Sequence, residues 1–173
     1  MPQEPESLAN IGVLVPHFLM MRDARILPVA DRMWEKSGGD TDRYIETVFQ
    51  FFIENIFYIT DREAFNSEEF MVMPGTLLFE TGAGDCGNSA QAMESLLFLK
   101  RVPSRMVFGY ALGNSHRWVE AFYKGQWMAF DTTTGETFPT SEREKHGYDA
   151  LFNVTPYSFA LAKLPMVPPL FLP

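Results

Sequence analysis

The sequence predicts one domain of the α+β class, in which helices occupy the first half of the chain and an antiparallel sheet follows. A change of period carries that prediction. Before Pro103 apolar residues recur at three- and four-residue steps, as on a helix with one buried face; after it they follow the period of strands, with Gly109, Gly113 and Gly125 near the bends. Length adds a second constraint, since 173 residues support one core and are too few for two comfortable ones. The domain is taken as residues 1–173, with its core over about 41–135 and a proline-rich segment over 154–173.

The elements follow in order. Ile11 to Met21 is apolar, but Pro16 and His17 interrupt it and it falls well short of the ~20 residues that span a bilayer, so it reads as core or as a docking segment. Ser37-Gly38-Gly39 ends whatever precedes it. Thr41 to Phe57 is the first strong helix, with Tyr44, Ile45, Val48, Phe52 and Ile56 on one face behind an Asp40/Thr41 cap. Asp61 to Met73 is polar and mixed; Pro74-Gly75, a short segment from Thr76 to Thr81 and a Gly82-Ala83-Gly84 turn come next. A second strong helix runs from Cys86 to Lys100, with Ala90, Met93, Leu96 and Leu97 apolar, and Arg101-Val102-Pro103 stops it. Strands are expected over Arg105 to Ala111, Ser115 to Tyr123 and Gln126 to Thr132, and a polar loop from Thr132 to Lys145. Val154 to Pro173 holds too many prolines for a long helix.

Composition narrows the function classes. The net charge of −8 arises from 22 acidic and 14 basic residues, and the basic ones are scattered, which argues against a nucleic-acid surface. The acidic start shows no export signal, and no segment reads as a membrane span, so a cytoplasmic location is expected. A single cysteine forms no disulfide within the chain and is compatible with a reducing compartment.

That cysteine is the first candidate for chemistry. Cys86 opens the second helix behind Asp85, a good cap residue, where unpaired N–H groups and the positive dipole end favour the thiolate. A lone cysteine is more often a small buried hydrophobe. Gly84-Asp85-Cys86-Gly87, however, is polar and glycine-rich, which suits close approach of a substrate better than core packing.

The partners come from the sheet. If Lys124-Gly125 is a hairpin turn, Tyr123 faces Gln126, Phe122 faces Trp127, Glu120 faces Ala129 and Trp118 faces Asp131. His116 and Asp131 then share a face as diagonal neighbours, ~7–8 Å apart at the backbone. An imidazole between a thiol and a carboxylate can take the thiol proton while the carboxylate fixes its tautomer. Alone, His116 would be a strand-end residue and Asp131 a loop-entry cap; His17 and His146 lack comparable partners.

Gly84-Asp85-Cys86-Gly87-Asn88-Ser89-Ala90, Val107-Phe108-Gly109-Tyr110, His116-Arg117-Trp118-Val119-Glu120 and Gly125-Gln126-Trp127-Met128-Ala129-Phe130-Asp131 together resemble the core of the transglutaminase-like superfamily, over about Pro74 to Gly135. The resemblance implies a papain-like fold with the nucleophile helix on an antiparallel sheet, Cys86 as nucleophile, His116 as base and Asp131 as orienter. It also implies a range of activities: amide or isopeptide hydrolysis, acyl transfer to amines, or none. Small stand-alone members look like proteins encoded among phage structural genes, which adds a virion-associated setting to the cytoplasmic one. The side chain that often completes the oxyanion hole in related enzymes has no assignable counterpart, leaving the Cys86 N–H as the donor.

The expectation is thiol-mediated hydrolysis of an amide or isopeptide bond in a peptide or protein, since transfer needs an amine site that the sequence does not display. Tyr110, Trp118, Trp127 and Asn88 are candidate substrate contacts, with core packing an equal role for the aromatics. No metal, cofactor, nucleic acid or membrane is expected. Gly82 to Gly87 satisfies G-x-G-x-x-G, but Val107 and Phe108 stand where a dinucleotide fold needs an acid. A silent domain that docks on a protein partner through its apolar termini is the alternative from another class, and an amine-accepting transglutaminase a further one.

Overall fold

The computed structural model describes residues 25–59 and 76–153. The segments Ile11 to Met21, Asp61 to Met73 and Val154 to Pro173, and with them the docking expected of the termini, lie outside these residues.

Helices α1 (Ile26–Lys36) and α2 (Thr41–Asn55) come first, then a two-residue strand β1 (Phe57–Tyr58), a short helix α3 (Thr76–Thr81), strand β2 (Ala83–Gly84) and helix α4 (Cys86–Leu99). Strands β3 (Ser104–Ala111), β4 (Asn114–Tyr123), β5 (Gln126–Phe130), β6 (Thr137–Pro139) and β7 (Tyr148–Asn153) follow, with a 3₁₀ helix over Thr140–His146 before the last. The five later strands form one antiparallel sheet in the order β6-β5-β4-β3-β7, while β1 and β2 make a separate parallel pair. The mixed helix and antiparallel-sheet architecture is the one expected.

Asp40 caps α2 by accepting the Arg43 N–H at 2.8 Å. Tyr44, Ile45, Val48 and Phe52 on its inner face are buried, and the Tyr44 hydroxyl donates to the Leu96 carbonyl at 2.8 Å, tying α2 to α4 inside the core. Helix α4 ends with Arg101 in the left-handed region (φ 57°), where the N–H groups of Arg101 and Val102 close onto Phe98 and Leu97. This is a Schellman cap built without the usual glycine, and it stops the helix before Pro103 acts.

The sheet has two differently covered faces. Met106, Phe108, Val119, Ala121 and Phe130 pack with α1, α2 and α4 in the main core. Val107, Trp118, Ala129, Phe138 and Tyr148 form a smaller core on the other face. The turn Lys124-Gly125 has positive φ at both positions (47° and 84°), the conformation of a type I′ hairpin. It sets the pairs Tyr123–Gln126, Phe122–Trp127 and Glu120–Ala129, the register expected.

Three features differ from the sequence reading. Helix α1 was not expected; its Ile26, Ala30 and Met33 are buried at steps of four and three, and Pro28 sits in the first turn, where a missing N–H costs nothing. The supposed polar loop from Thr132 to Lys145 contains β6 and most of the 3₁₀ helix, because Phe138 is drawn into the smaller core and stacks on His146 at 4.3 Å. Strand β7 was also unforeseen. It pairs with β3 through a register shift at Phe108/Gly109.

Gly109 makes that pairing geometrically feasible. A Cβ there would lie 2.0 Å from the Asp149 carbonyl oxygen and 2.9 Å from the Trp118 ring. Since the first of these atoms is backbone, the strand itself must move to admit a side chain. Gly109→Ala should therefore lower the urea midpoint by the equivalent of about 1–3 kcal/mol, the usual cost of overpacking; an unchanged midpoint would mean that β7 does not hold this position in solution.

Candidate active site

The site begins with the cap of α4. Asp85 Oδ1 accepts the Asn88 N–H at 2.8 Å, and Asn88 Oδ1 accepts the Asp85 N–H at 3.1 Å, a reciprocal capping box. Cys86 and Gly87, the first two residues of the helix, lie between these capped positions, where N–H groups have no partner within the helix. The Cys86 side chain is nearly buried, at 8% exposure.

Strand β4 brings His116 to the thiol and the end of β5 brings Asp131 to His116. His116 Nε2 lies 2.7 Å from Asp131 Oδ2, both groups being buried. Cys86 lies close enough to the same imidazole to raise its affinity for a proton. With Nε2 committed to the carboxylate, Nδ1 is the nitrogen left for sulfur. The imidazole is thus in contact with the carboxylate and within the influence of the thiol.

Asp131 is further held by the Thr133 N–H, which donates to Oδ1 at 2.8 Å, and by the Tyr148 hydroxyl, which donates to Oδ2 at 2.5 Å. Burial pushes the Asp131 carboxyl up, but the hydrogen bond and charge of His116, with the Tyr148 and Thr133 donors, outweigh it and hold the carboxyl below its ordinary value. Burial likewise opposes the His116 imidazolium; its hydrogen bond to Asp131, the neighbouring Cys86 and the charges of both overcome that and raise it to about 9. For Tyr148, burial and the neighbouring Asp131 push the phenol up, so it stays a donor.

Behind the imidazole lies an aromatic and ionic support. The Trp118 ring stacks near His116 at 6.4 Å between centroids and meets Tyr148 edge-on at 5.2 Å. Glu120, wholly buried, binds Arg105 at 2.6 Å and Arg143 at 3.3 Å, joining β3 and the 3₁₀ helix across β4.

These residues sit within a recognisable sequence. The sequence model of the transglutaminase-like superfamily core matches residues 28–132, more than half of the chain. The chain belongs to the transglutaminase-like superfamily. It is 29% identical over 142 residues to the uncharacterized protein YebA of Bacillus subtilis (strain 168), a match covering 69% of this chain and 18% of that protein. The chain thus spans under a fifth of that relative's length. Among solved structures, LapG of Legionella pneumophila is similar at a TM-score of 0.55 and 15% identity, covering 82% of each chain. A candidate cysteine protease from Cytophaga hutchinsonii is similar at 0.55 and 18% identity, covering 74% of this chain and 42% of that one. At such identities the likeness is one of fold: a papain-like, transglutaminase-like arrangement.

Within this transglutaminase-like chain the expected residues fare unequally. Cys86, His116 and Asp131 come together. Tyr110 pairs with Ser115 beside them and is 43% exposed, so it remains available to a ligand. Trp118 is fully buried and supports the imidazole from within the sheet, so it lines no groove. Trp127 pairs with Phe122, six residues along β4 from His116 and so roughly 20 Å away at the rise of a strand; its ring lies under the Arg105 guanidinium. The carbonyl of Asn88 is spent on the capping box, which makes Asn88 a helix-start residue. Tyr148 and Glu120 were missed as residues that support the site.

Among the described residues no group of three His, Cys, Asp or Glu side chains could hold a metal ion, and no helix is long and apolar enough to cross a membrane. A groove of about 850 Å³ bordered by Val29, Met33, Gln50, Phe51 and Phe79 shares no residue with the Cys86–His116–Asp131 array. Its size is no guide to the thiol chemistry, since its lining holds neither cysteine nor histidine.

The raised value of His116 fixes a sign. Its attraction to Asp131 stabilises the fold fully below the ordinary histidine range, ~6.5, and is lost as pH rises through about 9. In an NMR titration the His116 ring should show a midpoint near 9 in the native protein, and Asp131→Asn should move it down, because burial then acts with less opposition. A native midpoint near ~6.5 would contradict the coupling.

Proposed function

We propose that this chain performs cysteine-dependent acyl chemistry, hydrolysing an amide or isopeptide bond of a peptide or protein through a thioacyl intermediate on Cys86. The observation that carries the reading is one buried imidazole bonded to the Asp131 carboxylate and close to the Cys86 thiol at the start of α4.

The roles follow from the atoms. Asp131 holds the N–H of His116 at Nε2, and because the ring is raised to about 9 it already carries at neutral pH a second proton, the one taken from the thiol at Nδ1. Transfer of the thiol proton makes a thiolate and an imidazolium, and Asp131 and the helix start favour that charge pair. The thiolate sulfur attacks the carbonyl carbon; the Cys86 N–H, and the Gly87 N–H next to it, are placed to donate to the developing oxyanion. The imidazolium then protonates the departing amine, leaving the acyl group on sulfur. Water, deprotonated by His116, releases the acid and restores the thiol.

Hydrolysis needs no group beyond these and water. Transfer to an amine would need a second binding site, and no residue in the array supplies one. The reading concerns this chain's own residues, since 82% of the YebA length has no counterpart in it.

Alkylation of Cys86 by iodoacetamide, in which sulfur displaces iodide, tests the pair. The rate should be near its plateau at neutral pH in the native protein and should rise only through the ordinary thiol range, ~8.5, in His116→Ala. Native reactivity that already follows the ordinary range, with no effect of the substitution, would sink the enzyme reading and favour the silent-domain alternative.

A further inference from the structure

Arg117 follows His116 on β4 and therefore points to the opposite face of the sheet, the face that α4 covers. Its guanidinium lies against the helix start: a Cβ placed on Gly87 would be 2.4 Å from Nη1 and 3.1 Å from Cζ. The absence of a side chain at residue 87 thus leaves room for a cation beside the backbone that follows Cys86. The guanidinium rests over the Phe108 ring at 4.7 Å, which limits its freedom. Asp85 Oδ1 lies 3.1 Å from the same Gly87 position, but it is engaged by the Asn88 N–H. Among the described residues Arg117 forms an ion pair with no carboxylate, whereas Arg105 and Arg143 both pair with Glu120.

An arginine of this kind is unusual in a chain of net charge −8, where acidic partners are abundant. It is partly exposed, held flat on an aromatic ring and aimed at the residue next to the thiol. The guanidinium offers a planar fork of donors suited to a carboxylate. The N–H groups at the start of α4 add positive potential at the same place.

We propose that Arg117 forms an anion subsite beside Cys86, which selects an acyl substrate carrying a carboxylate close to the reacting carbonyl. The inference rests on the proposed thiol chemistry and names the class of substrate it takes. The carboxylate could be a main-chain terminal one or an Asp or Glu side chain; both present the same two oxygens to the fork. The long-range field of an acidic protein disfavours anions, so a preference for them has to come from local contact.

The test compares two alkylating agents of similar size at neutral pH, anionic iodoacetate and neutral iodoacetamide, and reads the ratio of their rates at Cys86. Iodoacetate should react faster with the native protein. Arg117→Gln and Arg117→Met should each lower the ratio by about fivefold or more, and Arg117→Lys should keep most of it, because a charge beside the sulfur survives only in the lysine variant. Met retains a stem to cover Phe108, so a folding defect in the Gln variant would not hide the result; urea midpoints of all three identify any such defect. Peptidyl fluoromethyl ketones ending in Asp or in Asn extend the comparison: an Arg117-dependent preference for the Asp reagent assigns the subsite to a side chain, and a preference confined to iodoacetate assigns it to a terminal carboxylate. An unchanged ratio in both the Gln and the Met variants, or an equal slowing of both agents, would overturn the subsite. Failure of the underlying thiol chemistry is seen separately, in the iodoacetamide pH profile of the native protein.

Discussion

Asp131 carries a negative charge where water does not reach it, and the local structure is arranged to make that tolerable. An unpaired buried carboxylate would neutralise itself or unfold its surroundings. Here the Thr133 and Thr134 N–H groups approach Oδ1 at 2.8 and 3.3 Å, and His116 and the Tyr148 hydroxyl meet Oδ2. The chain turns sharply after β5 to supply the first two, with the Gly135 N–H closing onto the Asp131 carbonyl. Satisfying the carboxylate therefore shapes the β5–β6 connection, fixes the imidazole and ties the edge strand β7 to it through Tyr148.

The same arrangement makes fold and site difficult to separate. Trp118 and Tyr148 belong to the smaller core, yet both touch His116 or its partner. Glu120 links β3, β4 and the 3₁₀ helix through two arginines and stands two residues from Trp118 on the same strand. A cavity opened there would relax the imidazole as well as the core. Isosteric changes are the informative ones in such a region, because they remove a proton or a charge while leaving the volume filled.

What the sequence made legible was what short-range physics determines. The Lys124-Gly125 turn sets the β4–β5 register within a few residues, and that register alone puts His116 and Asp131 on one face. The Asp85 cap and the apolar spacing of Ala90, Met93, Leu96 and Leu97 likewise locate the helix that carries Cys86. The parts that stayed hidden depend on distant partners. Tyr148 looks like an ordinary residue after a charged stretch until β7 pairs with β3, and no local pattern announces a pairing that needs a bulge at Phe108/Gly109. Phe138 is a lone apolar residue among polar ones, so its burial follows from the pocket formed by Trp118 and Tyr148 rather than from periodicity. Trp118 and Trp127 are nine residues apart in sequence and equally aromatic; only the sheet shows that one lies behind the imidazole and the other at the far end of the strand.

The hydrogen bond from Tyr148 to Asp131 spans the sheet in an uncommon way, since β7 is the outermost strand on one side and β5 lies beyond β3 and β4. The two outer parts of the sheet are thereby laced together through a side-chain contact rather than a shared ladder. The edge strand is accordingly no inert margin. A fusion, a tag or a binding protein that tugged on β7 would pull on the Tyr148 hydroxyl, and the first interior group to feel the change would be the carboxylate bonded to the imidazole.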